Sequence, residues 1–96
     1  MIDFAGKLPL NLGRVVATPG ALNALAAADK SPLPFLVRHA MGDWGDVDRE
    51  DAAANDQAVI DFARILSVYE LSSGDTIWII TEADRSSTTI LLPSEY

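Results

Sequence analysis

The chain contains no cysteine, a single histidine and no apolar run long enough to cross a bilayer. The lack of cysteine excludes disulfides, thiol catalysis and thiolate metal sites, and it suits a cytoplasmic location. A membrane span needs about 18 consecutive apolar residues. Residues 1–7 have neither a basic start nor an apolar stretch, so no signal peptide is expected. We therefore expect a cytoplasmic protein that does not bind membranes and that forms one domain over residues 1–96.

Basic residues are also scarce, seven against fourteen acidic ones, and the excess acidity lies in one half of the chain. Residues 1–42 carry four basic and two acidic residues, a net charge of +2. Residues 43–96 carry three basic and twelve acidic residues, a net charge of −9. A field of this sign repels phosphate groups, so direct binding of nucleic acid is disfavoured. The expected partner is a protein that is basic or that handles nucleic acid.

The order of the sequence patterns, helical first and strand-like afterwards, predicts an α+β fold. Residues 14–17 are typical of a short strand, and helices are expected after Thr18, after Ser31 and after Asp48. From about residue 65 the apolar pattern becomes that of strands separated by polar turns. We expect a short N-terminal strand and three helices packed on one face of a C-terminal antiparallel meander of three to four strands.

Periodicity also predicts which side chains are buried. Leu33, Leu36 and Val37 have the spacing of a buried face on the second helix, and Phe62 is expected to be buried by the third. Trp78 lies in the most strand-like segment, so we expect it in the core. Because both sides of this segment are apolar, the strand is expected to be central or to meet a partner with its second face.

Acidic residues are densest between Asp43 and Asp51, in a predicted loop and at the start of the third helix. Capping of that helix explains Asp48 and Asp51 without any further function. Trp44 either covers the core or is an exposed anchor for a partner, since tryptophan is enriched in binding hot spots. The predicted binding residues are Asp43, Trp44, Asp46, Asp48, Glu50 and Asp51. No metal-ligand spacing or cofactor motif is complete, so neither a metal nor a cofactor is expected.

Four residues are candidates for catalysis. His39 is either a structural residue, whose cation suits the end of a helix, or a ligand or general base. Glu82, Asp84 and Arg85 either carry acid–base and anion-binding chemistry or satisfy the backbone of a turn. The sequence has none of the common nucleophile or phosphate-binding motifs, so an enzyme is the less favoured alternative. That alternative predicts that these four residues and Asp43 line one pocket.

Several blocks of sequence within residues 15–96 together resemble a known family of proteins. They are Arg38-His39, Gly42-Asp43-Trp44-Gly45, Asn55-Asp56, Arg64-Ile65-Leu66-Ser67-Val68-Tyr69, Trp78-Ile79-Ile80-Thr81-Glu82-Ala83-Asp84-Arg85-Ser86 and Thr89-Ile90-Leu91-Leu92-Pro93. In these blocks the chain resembles a family of small, uncharacterised "plasmid-related" proteins of bacterial mobile elements, some of them labelled as type I restriction subunits. The resemblance implies an accessory role in mobile-element biology. It brings no activity, substrate or catalytic residue with it.

Three functions are compatible with these observations. The favoured one is a small, acidic, non-catalytic accessory factor of a mobile element that binds proteins. Its narrower form is an inhibitor of host restriction or CRISPR systems, whose carboxylates stand in for the phosphates of DNA. The alternatives are the small enzyme or ligand-binding domain outlined above, and a structural subunit that forms a homodimer through an exposed face or edge of its sheet.

Overall fold

A computed structural model describes residues 9–96 and confirms the α+β class. In chain order its elements are β1 (Arg14–Ala17), α1 (Pro19–Ala27), α2 (Leu33–Ala40), α3 (Arg49–Asp61), β2 (Ile65–Glu70), β3 (Thr76–Thr81), β4 (Ser87–Leu91) and a 3-10 turn (Pro93–Glu95). Residues 1–7, where no signal peptide is expected, lie outside the described residues. Within residues 9–96, none of the helices is long and apolar enough to span a bilayer.

The strands form one mixed sheet in the order β1-β4-β3-β2. The antiparallel meander is confirmed for β2, β3 and β4, and β3 is central, as its two apolar sides predict. It does not extend to the whole sheet, because β1 pairs in parallel with β4, with Val15 opposite Thr88. Three helices and two strands lie between these two segments in the chain. The chain therefore crosses over and enters both in the same direction.

One face of the sheet carries the main core. Tyr69, Ile77, Ile79 and Ile90 are almost fully buried there and pack against α1 and α2. Each fully buried isoleucine contributes roughly 1.5–3 kcal/mol relative to an exposed one. A second cluster lies beside the first and joins α3 to the loop before it. Its buried members are Leu10, Trp44, Ala58 and Ile65.

Two of the expected helix starts are confirmed by their capping bonds. The Ala21 N–H donates to the Thr18 hydroxyl at 3.1 Å, and the Asp51 N–H donates to the Asp48 carboxylate at 2.8 Å. The end of α3 differs from the expectation, because Phe62 is 66% exposed. Its backbone is left-handed, with φ at 57°, so the chain turns away from the helix face there. The Arg85 guanidinium lies 5.2 Å from the Phe62 ring.

The buried face of α2 also differs from the one that periodicity predicts. Phe35 and Leu36 pack against the core and His39 is fully buried, whereas Leu33 and Val37 are exposed. A polar residue thus takes the innermost position of this helix. Hydrophobic spacing cannot reveal such a position, because burial of a histidine depends on partners supplied by distant strands.

The outer edge of β2 is bonded to segments of the same chain, not to another strand. The Asn55 amide donates to the Leu66 carbonyl at 2.8 Å, and the Leu66 N–H donates to the Asn55 Oδ1 at 3.2 Å. The Val68 N–H donates to the Trp44 carbonyl at 3.0 Å, and the Asp46 N–H donates to the Val68 carbonyl at 2.6 Å. These bonds hold α3 and the loop before it against the sheet.

Replacing Asn55 with alanine removes both bonds to Leu66 and leaves two backbone groups of this half-buried residue without protein partners. Each such group costs about 1–3 kcal/mol when it is fully buried. Because Leu66 is half-buried and water can partly replace the lost bonds, we expect a loss of roughly 2–4 kcal/mol in the free energy of unfolding by urea. Gln57→Ala is the control on the same helix, because the Gln57 side chain bonds only to exposed Asp61. It should change the free energy by less than about 0.5 kcal/mol. Equal effects of the two substitutions contradict the assignment.

Candidate functional site

Acidic side chains of the loop before α3 accept hydrogen bonds that hold the loop in its conformation. The Arg38 Nε donates to the Asp43 Oδ2 at 2.7 Å, and the Gly45 N–H donates to the Asp43 Oδ1 at 3.2 Å. The hydrogen bond from Arg38 is the main reason that the pKa of Asp43 lies below its usual range. Asp43, predicted as a binding residue, therefore already has a cationic partner within the chain.

Trp44 covers the core and is not an exposed anchor. Its side chain is 5% exposed, its indole N–H donates to the Asp56 carboxylate at 3.0 Å, and its ring packs edge-on against His39. Trp44 thus shields the buried histidine from solvent. Of the two roles that the sequence left open, the structure supports the first, and an exposed Trp44 is excluded.

Gly45 and Asp46 attach this loop to the edge of β2. Gly45 forms a parallel bridge with Val68, and its φ is +77°. A Cβ at this position would lie 2.0 Å from the Val68 carbonyl oxygen, so only glycine allows so close an approach. The Asp46 Oδ2 accepts the Glu70 N–H at 2.9 Å, which leaves its other carboxylate oxygen for a further partner.

Beyond the loop, an open groove of about 490 Å³ runs between the start of α3 and the outward face of the sheet. Leu66, Val68 and Trp78 form its apolar floor. Its acidic members are Asp46, Asp48 and Asp51, while Val47, Ala54 and Asn55 complete the lining. The groove therefore combines three of the six predicted binding residues with a tryptophan that the sequence placed in the core.

The prediction that Trp78 lies in the core is wrong, because its side chain is on the other face of the sheet. Trp78 alternates with Ile77 and Ile79, which are fully buried on the helix-covered face. Its own side chain points to the opposite face, where it is half-buried against Tyr96, with ring centres 5.6 Å apart. The period of two was visible in the sequence, but it did not show which face the helices cover.

The two acidic residues that follow the cap differ in position. Glu50 and Asp51 are both exposed at the start of α3, but only Asp51 lines the groove. Neither residue, nor Asp46 or Asp48, forms an ion pair within residues 9–96, where the two salt bridges are Arg38–Asp43 and Arg64–Glu82.

His39 is the centre of a buried chain of hydrogen bonds that links α2 to the sheet. Its Nδ1 lies 2.5 Å from the Ser67 hydroxyl, and its Nε2 lies 2.8 Å from the Thr81 hydroxyl. Thr81 lies 2.7 Å from the Thr88 hydroxyl, which donates to the Leu12 carbonyl at 2.7 Å. These four side chains are all inaccessible to solvent: His39, Ser67, Thr81 and Thr88.

The direction of these bonds fixes the form of the imidazole. Because Thr88 donates to a carbonyl, which can only accept, its oxygen accepts from Thr81. Thr81 in turn accepts from His39, so the proton of the neutral ring lies on Nε2 and its Nδ1 accepts from Ser67. Burial, with a smaller contribution from the charge of Arg85, lowers the pKa of His39 to about 4. His39 is therefore structural, but as a neutral ring and not as the cation expected at a helix end.

The other catalytic candidates have separate structural partners. Glu82 lies 3.4 Å from the Arg64 Nε, and Asp84 accepts the Ser86 N–H at 2.9 Å. Arg85 is 8% exposed and donates to three carbonyls, those of Ala58, Ala63 and Glu82, at 2.7–3.1 Å. It thereby closes the C-terminal end of α3, where a cation is favoured by the helix dipole.

The enzyme alternative required His39, Asp43, Glu82, Asp84 and Arg85 to line one pocket. Each is engaged by different groups, and none of them lines the groove. Within the described residues, no group of three or more potential ligands could hold a metal ion.

Comparison of the chain with protein-family models, with curated proteins and with solved structures finds no match. The resemblance to the plasmid-related family therefore stays a prediction.

The buried state of His39 predicts a specific dependence of stability on pH. The pKa is lower in the folded chain than the ordinary 6.5, so the unfolded chain takes up the proton first as the pH falls. This group stabilises the fold fully above pH 6.5 and less and less as the pH falls towards 4. At pH 4.5 the loss should reach about 2–3 kcal/mol relative to pH 7.

Urea unfolding at the two pH values, with His39→Gln as the comparison, measures this loss. The variant should lack that part of the pH dependence, although it is less stable overall. Because the chain has one histidine, its ring resonances report the same event directly and should titrate near pH 4. A midpoint near 6.5 contradicts the buried neutral ring.

Proposed function

We propose that this chain is a non-catalytic protein-binding domain that receives a basic segment of its partner in the groove between α3 and the sheet. One observation carries the proposal: Asp46, Asp48 and Asp51 line a groove with an apolar floor and form no ion pair within the described residues. A site that keeps negative charge beside exposed apolar surface suits a ligand with a cationic end and an apolar body.

The surrounding charge supports a protein ligand over a nucleic acid. Residues 43–96 carry a net charge of −9, and the groove lies within this half of the chain. Phosphate groups would be repelled over about one Debye length, whereas a basic segment would be attracted and its association accelerated.

In its narrower form, the proposal makes this protein a cytoplasmic accessory factor of a bacterial mobile element that inhibits host restriction or CRISPR machinery. Carboxylates of residues 43–56 would then occupy a surface that normally binds DNA phosphates. The resemblance to plasmid-related proteins and the charge of this region support this form. Duplex DNA carries about one charge per 1.7 Å, so a mimic depends on several carboxylates acting together and on low salt.

Affinity capture from a bacterial lysate, followed by mass spectrometry, tests the proposal with a pair of variants that remove the same number of charges. The groove variant is D46N/D48N/D51N, and the control variant is D29N/D61N/D75N, whose three residues are exposed and lie outside the groove and outside residues 43–56. Asparagine keeps the capping and edge bonds of the native aspartates, so the groove variant should fold normally. We expect wild type and control to retain a basic or nucleic-acid-handling partner that the groove variant loses.

Two results contradict the proposal. If the groove variant retains the same partner as wild type, or if it loses no more than the control does, the groove is not the binding site. Capture is repeated at about 0.1 M and 0.5 M salt, because attraction between exposed charges weakens with ionic strength. Binding that survives the higher salt contradicts phosphate mimicry.

The free edge of β1 supports a homodimer as a second candidate. Within residues 9–96, β1 pairs only with β4, and Val15 and Val16 on it are 44% and 38% exposed. The opposite edge of the sheet is occupied by Asn55 and the Trp44–Asp46 segment. An open edge with exposed β-branched residues is a template for pairing with another strand.

Light scattering at tens of micromolar distinguishes the two candidates. Edge pairing predicts the mass of two chains for wild type and of one chain for Val15→Lys or Val16→Lys, because a lysine on an edge strand opposes pairing. A monomeric wild type contradicts the homodimer and leaves the groove proposal unaffected.

A further inference from the structure

We propose that the groove binds an arginine of an extended partner segment, with the guanidinium over Trp78 and within reach of the aspartates at the start of α3. This inference rests on the proposed function, because it specifies the ligand of the same groove. It adds the chemical identity of the side chain that the groove selects. Three observations in the described residues support arginine in particular.

The first is that the chain already holds one of its own arginines in this way. The Arg38 guanidinium lies 4.6 Å from the centre of the Tyr69 ring, while its Nε donates to the Asp43 carboxylate at 2.7 Å and its Nη2 at 3.3 Å. An aromatic ring and a carboxylate thus hold a guanidinium together at this surface. The groove offers the same two groups, Trp78 and the carboxylates, but its lining contains no cation.

The second is that Trp78 is held in position before any ligand arrives. Tyr96 packs against it, and the Tyr96 hydroxyl accepts from the Arg64 Nη1 at 2.7 Å. Arg64 in turn pairs with Glu82 at 3.4 Å. A ring supported from one side presents a fixed surface to the groove, which lowers the entropy lost on binding.

The third is that the carboxylates keep acceptor atoms for a ligand. Asp46 uses its Oδ2 for the Glu70 N–H, and Asp48 uses its Oδ1 for the Asp51 N–H. The remaining oxygens of these side chains, and the carboxylate of Asp51, have no hydrogen-bond partner within residues 9–96. Several acceptors around one space suit the planar, five-donor guanidinium better than the single ammonium of lysine.

Arginine also suits the floor better than lysine does. A guanidinium is more weakly hydrated than an ammonium and stacks on aromatic rings, with tryptophan the most favourable partner. The groove volume of about 490 Å³ lies within the range of ligand sites, so one long side chain and its neighbouring backbone fit. An arginine flanked by small residues is the simplest segment that meets these conditions.

The test is an NMR titration with three peptides, acetyl-Gly-X-Gly-amide, in which X is arginine, lysine or citrulline. The chain has two tryptophans, so only two indole N–H signals arise, and Trp78→Phe identifies them. The buried Trp44 indole bonds to Asp56 and serves as the internal reference. We expect the Trp78 signal to shift with the arginine peptide, with a Kd about two- to five-fold lower than for lysine. The neutral citrulline peptide should be the weakest of the three.

The groove and control variants locate the effect. D46N/D48N/D51N should weaken arginine binding about ten-fold, whereas D29N/D61N/D75N should leave it within about two-fold of wild type. Equal affinities for arginine and lysine overturn this inference and leave the proposed function standing. Shifts at Trp44 alone, or no shift with any peptide, also overturn it, and the capture experiment then decides separately whether the groove binds a basic partner.

Discussion

The hydrogen bonds at the outer edge of β2 are the interaction on which the placement of α3, of the loop before it and of the groove depends. A strand edge exposes N–H and C=O groups that must find partners, and here they find them in Asn55 and in the Trp44–Asp46 segment. Those bonds bring α3 beside the sheet and fold the preceding loop over His39. They also leave a space between the first turns of the helix and the outward face of β2 and β3. The groove therefore results from the bonds that attach α3 and the loop before it to the outer edge of β2.

The same arrangement divides the acidic residues into two groups. Asp43 and Asp56 serve the structure, since one pairs with Arg38 and the other accepts the Trp44 indole N–H. Asp46 and Asp48 each accept a backbone N–H with one carboxylate oxygen, and their other oxygen has no hydrogen-bond partner within residues 9–96. Neither carboxylate oxygen of Asp51 has a partner there. Three of the carboxylates that form no ion pair within residues 9–96 thus line one groove with an apolar floor. The net charge of a segment does not identify such residues, because it counts a carboxylate that pairs with a cation and an unpaired carboxylate alike.

Local features of the chain could be read from the sequence, and long-range ones could not. The caps at Thr18 and Asp48, the three helices and the meander all depend on residues a few positions apart. The parallel pairing of β1 depends instead on a crossover of some seventy residues. Burial of neutral His39 depends on hydroxyls from β2 and β3, and the exposed face of Trp78 depends on which side the helices cover. Burial of Trp44 depends in the same way on the distant Asp56 and His39, and Asp43 pairs with Arg38.

Asp46, Asp48 and Asp51 line the groove and form no ion pair within residues 9–96, whereas their neighbour Glu50 does not line it. The carboxyl carbon resonances of these four residues test this difference most directly during addition of the arginine peptide. We expect the three aspartate signals to move together and saturate, while that of Glu50 moves little. Equal movement of all four, or none at all, would contradict the central claim, because it would show that charge at this surface is diffuse and that the groove selects nothing.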